Sequence, residues 1–590
     1  MNKTILSSKK RGITSTQTVL IALVIVIIVA AAAVASVTLQ PPITTTVTNT
    51  VTQTVTQTLT GPAAQTVTVT AERTTTIEKT VTITTTQATT ATPQPTGRYG
   101  GTLIIGAEKQ EDTLDPLNAL TGPFAGTGMQ AIFEALIYYG PGGEFIPGLA
   151  TSWMAESPTV WVFTIRQGVK FHDGTILDAA AVKANFDRHI QNPKAVKSIA
   201  FLLDSVNVRD QYTVEFRLKP DSPYADFLTY LASDVYGLIT SPTAVQKWGD
   251  KFGRNPVGTG PFKFVEWVDN DHLTLEANND YWGGRPYLDK IIVRVIPETS
   301  VRILALKNGE IHLTDIPAQF VKTANTTGVV VRSGGSFRLF MMSLNNNPKL
   351  GNPVFQDVRV RQALNYAINR EALIQAIEQG FATPATGSLI PGLNDPWYNP
   401  NIKGYPPKGD VAKAKQLLAE AGYPNGIDIE IEVAGVFANG LDIATILQQQ
   451  LAAANIRVKI KNVDFSVFIE DLFRKRSFEL AVHDQAGASP YNLWYTILHS
   501  KGRNLSNIND TELDTLIEQI GKTTDFQHKK ELVDKVTQLE IEKAYQVYLY
   551  YVPRIQGWSE KLKGYTVTDP HYWGSILASK PLSRNAWLEP

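Results

Sequence analysis

The sequence predicts an α/β fold in two or more lobes, set behind a leader and a stalk, on three observations. Residues 98–590 alternate short β-branched runs with helix-periodic segments. Beyond Asn345 the pattern changes from mostly strand-like pieces to helices between shorter strands. Residues 1–97 have a different composition, with a basic flank, an apolar run and a Thr-rich tract. The chain has 590 residues, with 55 Lys or Arg against 55 Asp or Glu, so no global basic field argues for nucleic-acid binding. Cysteine is absent, which removes disulfides, thiolate nucleophiles, Cys-ligated zinc and the acylated cysteine of a lipoprotein anchor.

Taken in order, residues 101–107 form an apolar run with Ile104 and Ile105, a first strand closed by the turn at Asp115-Pro116. Residues 127–138 have helical spacing. Residues 160–166 alternate as a strand that ends at Gln167-Gly168, and a helix starts near Asp178 and runs to His189. Strand-like pieces recur at 206–208, 213–218, 262–267, 273–277 and 291–296. Helices are expected over 358–369, 372–379, 410–421, 441–453 and 512–520, with strands over 427–433, 457–463 and 479–482 between them. Gly168 and Gly174 flank a strand-exit loop that needs positive φ. Asp357 places a carboxylate at the positive end of its helix.

Lys3, Lys9, Lys10 and Arg11 precede residues 13–39, a charge-free apolar stretch long enough to span a bilayer as a helix. The basic flank stays in the cytoplasm and sends the rest of the chain outside. Lys9-Lys10-Arg11-Gly12 before the apolar run resembles the prepilin-like leaders on surface binding proteins of some archaea, which implies cleavage at Gly12 with the apolar run kept as anchor. An uncleaved signal anchor and a cleaved secretory signal are the alternatives. Residues 43–97 hold 25 Thr in 55 positions, too little apolar surface to offset ordering, so a disordered, O-glycosylated stalk is expected over 40–97.

Five stretches carry a family resemblance. They are Gly101-Thr-Leu-Ile-Ile-Gly with Leu114-Asp-Pro; Leu149-Ala-Thr-Ser-Trp with Trp161 to Gly174; Pro256-Val-Gly-Thr-Gly-Pro-Phe262; Tyr281-Trp282; and Asp357 to Glu371. In order and at these separations the chain resembles the extracytoplasmic solute-binding proteins of ABC importers for peptides, nickel and some oligosaccharides. The resemblance implies a two-lobed periplasmic-binding-protein-like fold with an inserted domain and a ligand cleft between the lobes. The implied boundaries are 98–145, 240–335 and 550–590 for the first lobe, 146–239 for the insert and 336–549 for the second lobe, behind the anchor at 1–39. The implied partners are a small-molecule or peptide ligand, the ABC permease and ATPase subunits, and the membrane through the N-terminal helix. The location is the outer face of the plasma membrane.

No catalytic motif stands out. The eight His residues form no HxxxH or HExxH pattern, and a GxSxG elbow, a P-loop and a GxGxxG after a strand are absent. No enzyme activity, cofactor or metal is expected, although two carboxylates would suffice for a glycoside hydrolase. The informative stretch runs from Phe478 to Trp494. In peptide-binding relatives an Asp here meets the peptide amine. Aligned on Pro490, that position falls on Ala486 and an aromatic position falls on His483. Asp484, two residues earlier, points to the same side of an extended chain. Either it supplies the amine-binding charge from a shifted loop, or it is a solvated or turn-capping Asp. His483 is either a ligand contact or a hydrogen-bonded packing residue. The resemblance also places Phe124, Phe465, Tyr551, Trp397 and Trp494 as cleft aromatics, with core packing as the alternative for each. Oligopeptides or dipeptides are the expected ligands, oligosaccharides the alternative. Asn325, Asn504 and Asn509 open N-x-[ST] glycosylation sequons.

Overall fold

The computed structural model describes the backbone of residues 53–59, 65–71 and 85–86, and then residues 99–110, 112–119, 127–140, 144–195, 198–232, 236–387, 397–434, 439–485, 489–565 and 585–589. The expected cleavage at Gly12 and the apolar run at 13–39 lie outside the described residues, as does Phe124. Among the described residues no helix is long and apolar enough to cross a membrane. The chain divides into two units, 1–96 and 97–590. Within the first, Gln53–Leu59 pairs antiparallel with Gln65–Ala71, and Thr85–Thr86 adds to the latter. The alternating Thr and Val are β-branched residues suited to a pleated strand, and the register sets Val55 against Val69.

In the second unit, β1 (Thr102–Ala107) is the first strand. The helix expected over 127–138 covers only Thr127–Ile132. Glu134–Ala135 then pairs with Leu238–Ile239, and Ile137–Tyr139 with Phe145–Pro147. Glu134 explains the break. Its buried carboxylate accepts from Thr259 Oγ1 (2.8 Å), Tyr281 OH (2.7 Å) and Trp282 Nε1 (2.7 Å), which outweighs helical spacing. β2 (Ala150–Ser157), β3 (Val160–Ile165), α1 (Ala179–Gln191), β4 (Leu203–Asp210) and β5 (Thr213–Leu218) follow. The strands form an antiparallel sheet of order β4-β5-β3-β2 with its own core, in which Phe163, Phe186, Phe216 and Phe227 are fully buried. Asp178 caps α1 by accepting from Ala181 N at 2.9 Å. Gly168 and Gly174 take φ of +77° and +85° in the loop between β3 and α1.

The chain continues through β6 (Phe262–Val268), β7 (His272–Ala277), β8 (Lys290–Val295), α2 (Thr299–Lys307), β9 (Leu313–Asp315) and the sixteen-residue strand β10 (Val329–Leu344). Next come α3 (Val358–Ala367), α4 (Arg370–Ile377), α5 (Val411–Glu420), β11 (Ile427–Ala434), α6 (Gly440–Ala452), β12 (Ile456–Val463) and β13 (Leu480–Gln485). α7 (Pro490–Ile497), α8 (Thr511–Lys522), α9 (Phe526–Lys543) and the fourteen-residue strand β14 (Gln546–Ser559) complete it.

One sheet runs through both lobes in the order β6-β7-β8-β1-β9-β14-β10-β13-β11-β12. Its two long central strands do the joining. Val329–Ser333 of β10 pairs with Ile555–Ser559 of β14 beside the first lobe, and Leu339–Ser343 pairs with Gln546–Tyr551 inside the second. Between these stretches the ladder shifts register at Ser333/Ser336 and Ser336/Arg338, where Gly334-Gly335 stands near Pro553. Such irregularities bend a strand pair and mark where two packed bodies can swing. Apolar cores lie on both faces of each lobe, with Leu103, Phe262 and Ile291 opposite Ile303 and Ile555 in the first. In the second lobe Leu364, Ile431 and Leu447 lie opposite Trp494, Ile517 and Val533.

The sequence motifs meet where the insert joins the first lobe. His172 Nε2 contacts Gly260 O at 2.9 Å, and Ser241 donates to Asp173 at 2.6 Å. A Cβ on Gly258 or Gly260 would lie 2.1 or 2.3 Å from the carbonyl oxygens of Ile132 and Ala131, so close approach fixes these glycines. These motifs secure packing between elements and carry no ligand chemistry.

Candidate ligand-binding crevice

Strand direction locates the site. In the first lobe β1, β8 and β9 run parallel, and in the second β11, β12 and β13 do. β9 is antiparallel to β14, with Leu313 opposite Trp558 and Asp315 opposite Gln556, so its carboxyl end lies toward the middle of the crossover. β13 is antiparallel to β10, with Leu480 opposite Leu344 and Gln485 opposite Leu339, and its carboxyl end points to the same place. Both sets of parallel strands therefore end at the middle of the crossover pair. The space outside carboxyl ends is where open α/β sheets bind ligands.

Two arginine–aspartate pairs line this floor, one from each lobe. Arg338 Nε donates to Asp484 Oδ2 at 2.8 Å, with the two side chains 23% and 18% exposed. Arg554 donates through Nε and Nη2 to the two oxygens of Asp315, at 3.1 and 3.2 Å. Gln556 adds a bond to Asp315 at 3.0 Å and accepts from Tyr565 OH at 2.5 Å. Arg338 lies opposite Val552, Phe340 stacks on Tyr550 at 5.2 Å, and alternation puts Arg554 on the face shared by Val552 and Tyr550. Both arginines thus share one face of the crossover. Burial pushes the Glu378 carboxyl up, opposed by the nearby Arg338 charge.

The expected site residues separate on this frame. Asp484 stands on the floor, paired with Arg338. His483 points to the other face, 1% exposed, and its Nε2 contacts Ser343 Oγ at 2.8 Å. Burial takes its pKa down to about 4, so it is a neutral packing residue and its reading as a ligand contact is corrected. Trp494, expected as a loop aromatic, is on α7 and fully buried, donating its indole N–H to Glu540 at 2.7 Å. Ser489 caps that helix and Pro490 opens it, which turns the ring into the core. Tyr551 is buried in the same cluster. Trp397 is half-buried against Phe526 at 4.9 Å. Phe465 stays 45% exposed at the start of the short helix after β12, on the crevice side of the second lobe. Of the sequons, Asn325 and Asn509 are exposed. Asn504 is buried and its amide donates to Ile508 O at 2.7 Å, so it cannot take a glycan in the folded chain.

Arg338, Arg554, Asp315 and Glu378 carry no sequence expectation. A signal exists for the arginines, since each is a lone charge inside an apolar strand run, Phe337-Arg-Leu-Phe-Met-Met342 and Tyr550-Tyr-Val-Pro-Arg-Ile555. Away from the crossover the lobes meet again. Asp226, beside the short helix Phe227–Ala232 of the insert, accepts from Lys529 of α9 at 2.6 Å and from Ser489. Tyr230 OH accepts from Asn492 at 3.0 Å.

Residues 144–505 match the model of the bacterial extracellular solute-binding proteins, family 5. The glutathione-binding protein GsiB of Pectobacterium atrosepticum is 31% identical over 369 residues, 61% of this chain and 69% of that protein. Among solved structures, the periplasmic binding protein DppA of Helicobacter pylori in complex with the peptide STSA aligns with a TM-score of 0.68 at 28% identity, covering 84% of this chain and 99% of that one. The substrate-binding protein CtaP of Listeria monocytogenes shares the fold with a TM-score of 0.74 at 24% identity, covering 83% of this chain and 100% of that one. These relatives are solute-binding proteins, not enzymes. Two lobes joined by paired crossover strands, with a charged crevice where their parallel strands end, belong to a solute-binding protein of an ABC importer, and this chain is a member of family 5 of the bacterial extracellular solute-binding proteins.

Proposed function

We propose that this protein captures short peptides outside the cell and delivers them to the membrane permease of an ABC importer, whose ATPase subunits drive uptake. The observation that carries the reading is the charged floor at the crossover. A peptide entering the crevice sheds water from its ammonium and carboxylate, and a partly exposed acid and base stand there to receive such groups. The names of the relatives support it, since GsiB is a glutathione-binding protein and the DppA structure holds a peptide. The oligosaccharide alternative needs aromatic platforms. Among the described rings named above, Phe465 is the exposed one, whereas Trp494 and Tyr551 are in the core. Among the described residues no group of three or more His, Asp or Glu side chains is placed to hold a metal ion.

The same proposal keeps the chain on the membrane through residues 13–39 after cleavage at Gly12, with the Thr-rich segment as tether and glycans on it and at Asn325 and Asn509. Mass spectrometry of small molecules released on denaturing purified residues 98–590 tests the ligand class. Released peptides support the reading, and released sugars overturn it. A mature chain beginning beyond Ala35 would overturn the anchor.

A further inference from the structure

We infer that the insert is a strap whose Asp226 latches the second lobe to the first, so that closure of the crevice does not depend on the ligand alone. The insert is fastened to the first lobe. Arg188 of α1 donates to Asp115 at 2.8 Å, and Thr240 Oγ1 donates to Asn185 of α1 at 2.8 Å, beside the His172 and Ser241 bonds at the same joint. The insert therefore moves with that lobe when the crossover bends, and its contacts with the second lobe span the hinge. Pro223 and the 3-10 turn Tyr224–Asp226 lie against α8. A Cβ on Gly521 of α8 would stand 2.9 Å from Pro223 and 2.7 Å from the Tyr491 ring. Glycine is a poor helix former, and its place here is explained by the seat it leaves for the insert.

Next to that seat Asp226 accepts from Lys529 Nζ at 2.6 Å and from Ser489 Oγ, and Asn492 Nδ2 donates to Tyr230 OH at 3.0 Å. Ser489 works in two directions, because its hydroxyl also accepts from Asn492 N at 3.1 Å as the cap of α7. The carboxylate of the insert thus stands at the positive end of that helix and beside a lysine. α7 follows β13, so the strap closes on the wall of the crevice that carries Asp484. The bonding groups are a carboxylate, an ammonium, hydroxyls and an amide, all of which water can satisfy when the lobes part. An interface of this polar kind suits reversible docking, whereas a permanent joint is mainly apolar. With the lobes together, Asp226 and Lys529 are 1% and 8% exposed, so each charge requires the other. Removing one of them should favour the open form, in which the charge left over is hydrated. The latch acts whichever solute the crevice takes.

The test is a distance measurement between spin labels by double electron–electron resonance, on the full chain dialysed free of added solute. The chain has no cysteine, so introduced ones are labelled alone. Asp204→Cys in the insert and Lys535→Cys on α9, both exposed, span the latch. Asp442→Cys on α6 with Lys535→Cys is the control pair inside the second lobe. With Asp226 and Lys529 intact, the spanning pair should give mainly one short distance. Asp226→Asn should raise the ratio of long to short distances at least about tenfold, with the control distance unchanged. Asp226→Asn combined with Lys529→Gln should return most of the short distance, and Tyr230→Phe should give a smaller shift in the same direction as Asp226→Asn. A mostly long distance with both charges intact overturns the latch. So does a spanning distance that none of the three variants moves, because insert and second lobe are then one rigid body. Loss of the control distance in Asp226→Asn overturns it too, since the pair would then be held for the fold of the second lobe.

Discussion

Two ion pairs in this molecule have similar short contacts and opposite surroundings. Asp226 and Lys529, where the insert meets the second lobe, are 1% and 8% exposed. Asp484 and Arg338, on the crevice floor, are 18% and 23% exposed. The first pair has left water, so each charge depends on the other and on Ser489, and losing one partner strands the remaining charge. The second pair retains access to the crevice and should contribute little to stability. Contact length does not separate a buried clamp from a solvent-accessible pair; the remaining exposure does. Asp226–Lys529 fastens the lobes away from the crossover, and Arg338–Asp484 keeps contact with solvent.

The largest effect is expected at the clamp. Lys529→Met leaves Asp226 buried with no cation and should destabilise the joined form by about 3–5 kcal/mol. Asp226→Leu combined with Lys529→Met should recover much of that loss, because two apolar groups leave nothing unsatisfied. Denaturant titration measures both, and X-ray scattering shows whether the lobes part. A single variant within 1 kcal/mol of wild type would mean that water reaches the pair and that the contrast with the floor is false.

Next comes acid. His483 lies beside Asp484 in sequence but faces the core, and burial depresses its pKa from 6.5 to about 4; His172, beneath the insert, behaves alike. The unfolded chain therefore takes up protons first. Stability is full above about pH 6.5 and is lost as the pH falls towards 4, by on the order of 3 kcal/mol for each group. His483→Gln should flatten that part of the pH profile while peptide affinity at pH 7 stays within threefold. A large loss of affinity at pH 7 would return His483 to the crevice. A third and smaller effect is Trp494→Phe, which removes the indole N–H from buried Glu540. About 1.5–3 kcal/mol should be lost, because the acceptor is a carboxyl group. Unchanged stability with lost binding would put Trp494 back among the ligand contacts.

These residues also show how far the sequence could be read. The strand over 213–218 and the capped helices after Asp178, Asp357 and Asp410 are local patterns, so the structure reproduces them nearly residue for residue. Trp494 fails for a local reason too. Ser489-Pro490 is a helix start, and a ring four residues into a helix faces whatever that helix packs on. α9 carries Leu532, Val533 and Val536 at helical spacing behind the Asp525 cap, yet its many charges hide the stripe. The crossovers are different. No local pattern tells that Arg338 will stand beside Asp484, 146 residues away, because their register comes from the pairing of β10 with β13 and β14. The crevice floor is therefore a product of topology, and alignment on Pro490 falls on Ala486, two residues past Asp484, with no sign of Arg338.

The smallest stability change should come from the floor itself, and it separates the two pairs most sharply. Arg338→Gln removes a cation that still reaches water, and its partner Asp484 can be solvated from the crevice when the guanidinium is gone. Pairs with such access contribute about 0–1 kcal/mol, and added salt screens them further. The melting temperature of the ligand-free protein should thus move by no more than a few degrees, in contrast to the loss from Lys529→Met. Ligand binding should respond the other way, falling at least about tenfold in Arg338→Gln when the ligand presents a carboxylate there. If Arg338→Gln instead unfolds the protein as Lys529→Met does, the floor pair is also a clamp, and its charges are held for the fold. If it lowers affinity with the melting temperature unchanged, the remaining exposure of the pair marks the residue that selects the ligand.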